Sequence, residues 1–221
     1  MCQRILKDSL NTFKVEYRYG YVSDVLKDTK SFENQHSFYL GYKNTYIETT
    51  TAPVNIISLG HYIKVKRDGN IGVFEPRFSY RYKNPGGSMG VTYTHWWKKK
   101  VIPFFGGALY FNGRPNDILS TSKVPLINTG VFYIPKEFLL YSVSIFQDLS
   151  DIKKTTLVTR LRYTPKKYSL EGGLSFGTFN TYGVSARIGY NNFFIHSSYL
   201  KRIDFTQKNR FIAGLGLSLM N

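Results

Sequence analysis

The sequence predicts an all-β protein, a single antiparallel transmembrane β-barrel, and three observations lead to this prediction. Segments of about ten residues alternate apolar with polar side chains, short groups of turn formers separate them, and aromatic residues make up 17% of the 221 residues. Residues 12–22, TFKVEYRYGYV, show the alternation most clearly. Because successive side chains of a strand point to opposite faces, each segment has one apolar and one polar face. Such segments are longer than the usual soluble strand of about five or six residues, and they match the roughly 9–11 that a tilted strand needs to cross a bilayer.

Thirteen segments of this kind follow one another along the chain. The residues between them are turn formers, such as NPGG at 84–87 and NN at 191–192. No segment keeps a helical period over more than two turns, so we expect helix only in short pieces near 3–11 or 114–120. The expected strands lie at 12–22, 35–48, 54–66, 71–83, 88–97, 101–112, 123–133, 137–148, 155–164, 168–178, 181–190, 192–202 and 208–220.

The connections between these strands set the expected strand number. Single-chain bacterial barrels have an even count. Longer connections follow residues 112, 148 and 202, shorter ones follow 97, 133, 164 and 190, and this alternation extends back to residue 35. It predicts about twelve strands, with fourteen as the fallback, in a single domain over 1–221. Residues 12–22 then either pair with a strand that the pattern does not reveal or belong to an N-terminal extension over 1–34.

Composition excludes some alternatives and leaves others open. The mean hydropathy of −0.26 excludes a helical membrane protein, and the most apolar stretch, 101–111, is interrupted by Pro103 and two glycines. Alternating strands with frequent turns also occur in soluble β-sandwiches and lipocalin-like barrels. A sandwich would use shorter strands and would need protected edges, whereas a closed barrel has no edge. The pattern therefore favours the membrane barrel.

The polar face of each segment lines the interior of the barrel if the apolar face meets lipid. This interior set is basic, with about ten Lys and Arg against about three Glu. Charges in a narrow interior are costly unless they are paired or hydrated, so we expect the lumen to hold water or anions. The alternative is that these cations form ladders with the acidic loop residues Asp117, Asp148 and Asp151 and fill a small barrel. The expected lumen-lining basic residues are Lys14, Arg18, Lys64, Lys66, Arg77, Arg81, Lys83, Arg160, Arg162 and Arg187.

Few residue patterns in the chain suggest a chemical site. The four histidines, His36, His61, His95 and His196, lack metal-ligand spacing, and no acidic cluster accompanies them, so no metal and no cofactor are expected. The single cysteine, Cys2, cannot form an intramolecular disulfide. The basic run WWKKK at 96–100 is as typical of an interfacial aromatic belt beside a charged turn as of a nucleic-acid site, and nucleic acid is not expected as a partner.

One sequence, His196-Ser197-Ser198, has the residue types of a nucleophilic site. His196 and Ser198 lie two apart in one strand and therefore on one face, where the imidazole could take the serine proton. The element resembles the His-x-Ser element of outer-membrane lipid A deacylases, and the resemblance implies a carboxylate on the adjacent strand. Here the following segment offers Asp204 in a loop instead. We therefore do not expect an enzyme.

The strand pattern, the aromatic content and the glycine-rich last strand, FIAGLGLSLMN at 211–221, together resemble Gram-negative outer-membrane β-barrel proteins. The resemblance implies a location in the outer membrane, with the mitochondrial outer membrane as the alternative. Residues 1–11 have no apolar core typical of a secretory signal, so we expect any export signal to be absent from this chain.

Three functions remain open at this point, since a fold alone does not define function. The first is a porin-like pore or export channel that favours anions and passes an anionic solute or polymer. The second is a non-conducting barrel that contacts membrane lipids and serves as a structural subunit of a larger envelope complex. The third is a barrel lipid hydrolase or acyltransferase that uses His196 and Ser198.

Overall fold

Fifteen strand segments form one antiparallel sheet in the computed structural model of the chain. The structure describes residues 13–25, 30–51, 55–67, 70–82, 86–96, 100–111, 124–149, 154–178, 181–201 and 209–220. The strands are β1 (Phe13–Val25), β2 (Lys30–Tyr42), β3 (Thr45–Thr50), β4 (Ile56–His61), β5 (Ile63–Arg67), β6 (Asn70–Arg81), β7 (Gly86–Trp96), β8 (Val101–Phe111), β9 (Val124–Lys136), β10 (Leu139–Asp148), β11 (Thr155–Tyr163), β12 (Tyr168–Gly177), β13 (Thr181–Tyr190), β14 (Phe193–Lys201) and β15 (Asn209–Met220).

The sheet closes into a barrel with a wall of fourteen strands. Strand β1 pairs with β2 on one side and with β15 on the other, and β4 closes the ring on β6. Strands β4 and β5 lie end to end on β6 in one register, since Gly60 faces Arg77 and Ile63 faces Phe74. They therefore act as one wall strand, broken only at Tyr62. The expected number of twelve is wrong, and the fallback of fourteen is confirmed.

The error comes from one hairpin inside the segment expected as a single strand at 35–48. The chain turns at Lys43 and Asn44, and β2 and β3 then pair antiparallel. Lys43 has a φ of 50°, a left-handed conformation that two-residue hairpin turns use and that lysine seldom adopts. The sequence therefore lacks a recognisable turn signal at this point. Strand β2 is the hidden partner of β1.

The two ends of the barrel differ in the length of their connections. At the end where β1 begins, termed the turn end, β2–β3, β9–β10 and β13–β14 are joined by two residues each. At the opposite end, termed the loop end, twelve residues (112–123) separate β8 from β9, and seven (202–208) separate β14 from β15. The N-terminal end of β1 and the C-terminal end of β15 both lie at the turn end, because Lys14 pairs with Met220.

The outer surface of the barrel is apolar on every strand. On β12, the outward-facing Tyr168, Leu170, Leu174 and Phe176 are 46–60% exposed, and the intervening side chains point inward. A soluble protein seldom exposes apolar patches beyond a few hundred Å², whereas here the exposed belt runs around the whole wall. Such a belt is typical of a surface that contacts lipid. Among the described residues, no helix is long and apolar enough to cross a membrane.

The interior near the turn end contains an apolar cluster that the alternation pattern does not predict. Trp96, Ile102, Ile134 and Leu140 are each at most 8% exposed, and Ile71 and Phe132 pack against them. These side chains come from β6 to β10. At the turn end, the inward-facing positions of these strands carry apolar residues, where the alternation pattern leads one to expect polar ones. At the turn end, one side of the lumen is therefore lined by apolar side chains.

Candidate functional site

The charged residues of the described strands lie mainly at inward-facing positions. Nine of the ten basic residues expected to line the lumen lie on the inward face of described strands, and Lys83 lies outside the described residues. Lys14 and Arg18 are on β1, and the rest are on β5, β6, β11 and β13. The carboxylates on the same face are more numerous than the sequence suggested. Among the strand residues whose side chains the structure describes, they are Glu16, Glu48, Glu75, Asp148 and Glu171.

Glu16 is the centre of the largest ion-pair group. Its side chain is almost fully buried and accepts hydrogen bonds from Lys14 Nζ at 2.7 Å and from Arg18 Nε at 2.5 Å. The Arg187 guanidinium on β13 lies 3.7 Å from the same carboxylate, although two strands separate β13 from β1. One carboxylate therefore neutralises part of the charge of three cations.

Small residues make this long reach possible. The Arg187 guanidinium lies on the face of the Phe194 ring, 3.5 Å from its centroid. That ring occupies the space over Gly216 of β15, where a side chain would collide with it. Glycines on the inward face of β15 thus let an aromatic ring and a guanidinium lie flat along the wall, which is one recurrent use of glycine in strands.

Two further carboxylates pair with single arginines. Glu171 accepts a hydrogen bond from Arg162 Nε at 2.8 Å, and the two residues face each other in register across β11 and β12. Glu48 lies 3.1 Å from an Arg77 guanidinium nitrogen. Glu75 instead accepts a hydrogen bond from the Tyr46 hydroxyl at 2.5 Å. The paired carboxylates lie on the strands themselves, while Asp117 and Asp151, the expected partners in loops, lie outside the described residues.

A cavity of about 540 Å³ occupies the interior between β2 and β11. Hydroxyl and amide side chains form much of its lining, with aromatic rings at Phe104, Phe132 and Phe146, and its two arginines are Arg77 and Arg160. Arg77 is already paired with Glu48. Within the described part of the chain, Arg160 makes no hydrogen bond and no ion pair. Its guanidinium is therefore available to a solute in the cavity.

The sequence could indicate only part of this cavity. The inward position of Arg160 follows from the parity of its strand, but Glu48 was hidden by the unrecognised turn at 43–44. Phe146 lies on the inward face of β10 together with Ser142 and Ser144. The sequence therefore places this apolar residue at an otherwise polar set of positions, but a single such residue does not by itself indicate a cavity. Strands β3, β6 and β11 line the same cavity only because the barrel closes. Closure is a long-range property, so no local sequence pattern predicts it.

Among the described contacts, no hydrogen bond joins the histidine and the serine of β14. Both have inward parity, but the His196 ring packs beside Phe194, with ring centroids 6.0 Å apart, and against Gly20 of β1. Its Nε2 atom is buried without a hydrogen-bond partner among the described residues, so Ser198 does not supply one. Asp204 lies outside the described residues. No contact of His196 or Ser198 supports the hypothesis of a lipid hydrolase or acyltransferase.

The other three histidines have outward parity and bond to neighbouring hydroxyl groups. His36 Nδ1 lies 2.8 Å from the Tyr17 hydroxyl, His61 Nδ1 lies 2.8 Å from the Thr45 hydroxyl, and the corresponding distance from His95 to Tyr93 is 3.0 Å. Within the ranges that the structure covers, no three His, Cys, Asp or Glu side chains are close enough to hold a metal ion.

Comparison with known proteins gives likenesses of structure and none of sequence. No protein-family model and no curated protein matches the chain. The outer membrane protein Omp33 of Acinetobacter baumannii is similar in structure, with a TM-score of 0.62 and 10% identity over 95% of this chain and 97% of that chain. A triple mutant of the Rhodopseudomonas blastica porin has a TM-score of 0.45 and 7% identity over 95% and 99% of the two chains. The likeness to Omp33 shows that the chain has the fold of bacterial outer-membrane β-barrels, as the sequence pattern predicts.

Proposed function

We propose that the chain is an outer-membrane channel whose lumen favours anions. The observation that carries the proposal is the charge of the interior. Among the strand residues whose side chains the structure describes, the nine expected cations face inward with five carboxylates, and Arg160 faces the cavity without a hydrogen bond or ion pair to a described residue. A lumen with a field of one sign raises the local concentration of counter-ions and selects by charge. The transported solute is an anion in this proposal, with uptake or export of anionic solutes or polymers as the role.

The proposed location follows from the wall. A closed barrel satisfies all of its backbone hydrogen bonds between strands, and it is one of only two structures that can span lipid. The apolar belt supplies the lipid contact. The likeness to a barrel from Acinetobacter baumannii supports the outer membrane of a Gram-negative bacterium over the mitochondrial outer membrane.

A second candidate function is a non-conducting barrel that serves as a structural subunit of an envelope complex. The apolar cluster around Ile102 at the turn end favours this candidate, because packed apolar side chains in the lumen obstruct the passage of water and ions. In that case the interior charges would act as an internal scaffold, and membrane lipids and other envelope proteins would be the partners.

Reversal potentials in planar bilayers under a KCl gradient distinguish the two candidates. We expect discrete channels with anion preference for the wild type and a shift toward cation preference for Arg160→Glu, which reverses the charge at the cavity. Lys167→Glu is the matched control, because it makes the same charge change in the exposed turn of the same β11–β12 hairpin and should leave the selectivity nearly unchanged. Absence of conductance would favour the scaffold, and cation preference of the wild type would contradict the anion channel.

A further inference from the structure

Phe146 breaks the pattern of the whole wall. The strand side chains that are both large and apolar and at least 37% exposed point outward on the described strands, with Phe146 as the single exception. It is 38% exposed and lines the interior cavity. An apolar ring left exposed to water inside the lumen is unfavourable unless something apolar covers it.

Arg160 lies on the neighbouring strand at a fixed offset from this ring. On the β10–β11 ladder, Ser142 faces Arg160 and Phe146 faces Thr156, so the two side chains lie four residues apart along the wall. At about 3.3 Å per residue this offset is roughly 13 Å between backbone positions. Ser144 and Val158 lie between them.

The remaining charge of the cavity limits what the arginine can bind. Arg77 is paired with Glu48, and Glu75 also lines the cavity. Arg160 is the one cation of this lining that makes no ion pair with a described carboxylate, and the nearby Glu171 pairs with Arg162 instead. One guanidinium without a direct ion pair, close to carboxylates, suits a group with a single negative charge. A carboxylate matches the two parallel N–H donors of arginine.

We propose that the cavity binds organic monocarboxylates, with the carboxylate on Arg160 and the apolar body on Phe146. For its role in transport the inference rests on the proposed channel function, but the binding itself rests only on the cavity. The volume of about 540 Å³ lies within the range of small-molecule sites, about 300–1,000 Å³, and such sites combine an apolar lining with a few polar groups that orient the ligand. Phe104 and Phe132, stacked at 4.8 Å, extend the apolar side of the cavity.

Calorimetric titration of the purified full chain in a neutral detergent tests this assignment, with 4-phenylbutyrate as the probe. Empty micelles correct for partition of the probe. We expect saturable binding that Arg160→Gln weakens on the order of tenfold or more, because a charge-assisted pair is lost. Phe146→Ala should weaken binding roughly threefold to tenfold through lost apolar contact. Lys167→Gln is the matched control and should bind like the wild type.

Two further probes separate the head from the body of the ligand. Acetate, which has the charge without the apolar body, and 4-phenylbutyramide, which has the body without the charge, should both bind much more weakly than 4-phenylbutyrate. Equal binding of 4-phenylbutyrate by the wild type and Arg160→Gln would overturn the proposal, as would equal binding of acetate. Anion-selective conductance without binding of 4-phenylbutyrate would refute this inference and leave the channel standing. Binding without conductance would support the inference and refute the channel.

Discussion

At the scale of single residues, the balance of charge around Glu16 organises one side of the lumen. Its carboxylate is 3% exposed and contacts Lys14, Arg18 and Arg187, while the Arg18 side chain is 46% exposed. The cations can therefore be hydrated in part, whereas the carboxylate depends on them for its buried position. Removing one partner of a buried ion pair costs more free energy of folding than replacing both partners by apolar residues, because the remaining charge stays buried without compensation.

Glu16→Gln should therefore destabilise the barrel by roughly 2 kcal/mol, less than the 3–5 kcal/mol of a fully buried pair because the cations reach water. Glu48→Gln is the matched control. Glu48 is one-third exposed and, within the described parts of the chain, pairs with Arg77 alone, so its loss should cost about 0–1 kcal/mol. Urea unfolding in lipid vesicles, followed by tryptophan fluorescence, measures both. Equal stability of the two variants would contradict the central role of Glu16.

Sequence alone could place these side chains on one face but could not pair them. The alternation within β1 is sufficient to predict that Lys14, Glu16 and Arg18 point the same way. The contact between Glu16 and Arg187 joins residues far apart in the chain and exists only because β15 closes the barrel onto β1. Long-range pairing of this kind has no local signal.

At the scale of the strand, pairs of an aromatic residue and a glycine fix the packing of the inner face. Tyr46 on β3 faces Gly60 on β4, and the tyrosine ring lies where a side chain on Gly60 would be. Tyr46 is 4% exposed, stacks on Tyr39 at 5.4 Å and donates its hydroxyl hydrogen to Glu75. The glycine thus allows a tyrosine to connect three strands, an arrangement also used in designed sheets.

Gly60→Ala should destabilise the barrel by about 1–3 kcal/mol, because the added methyl group displaces a buried ring. Gly172→Ala, on the outer face of β12, is the matched control: a methyl group there meets no atom within 4 Å, so stability should stay the same or rise slightly. The free energy of unfolding in urea measures both, and the Tyr46→Ala background should abolish most of the Gly60→Ala cost. A Gly60→Ala cost that persists in that background would show that the ring is not the cause.

Strand positions were largely predictable, and the exceptions have physical reasons. The expected strand at 54–66 corresponds to β4 and β5 joined at Tyr62, and the expected strand at 101–112 corresponds to β8. The hairpin at Lys43 was missed because its left-handed conformation occurs at a residue that rarely adopts it. A single unrecognised turn therefore changed the strand count by two, since it also left β1 without a partner.

At the scale of the whole molecule, the two faces of the wall differ in character, with the apolar side chains outside and the charged side chains inside. An exposed apolar belt on the described strands and a charged, partly exposed interior are typical of a barrel in lipid. The class of fold was predictable because the alternation repeats throughout the chain. The apolar cluster around Trp96 and Ile102 was not, because inward apolar residues on β6 to β10 look the same in sequence as residues of a strand buried on both faces.

Quenching of tryptophan by brominated lipid tests this arrangement most directly. Val143 and Ser144 are adjacent on β10, with Val143 outward and 44% exposed and Ser144 lining the cavity. In a Trp96→Phe, Trp97→Phe background reconstituted in vesicles, we predict that bromine on the lipid chains strongly quenches Val143→Trp and leaves Ser144→Trp nearly unaffected. Equal quenching of the two tryptophans, or a protein that stays monodisperse in buffer without lipid or detergent, would contradict the account.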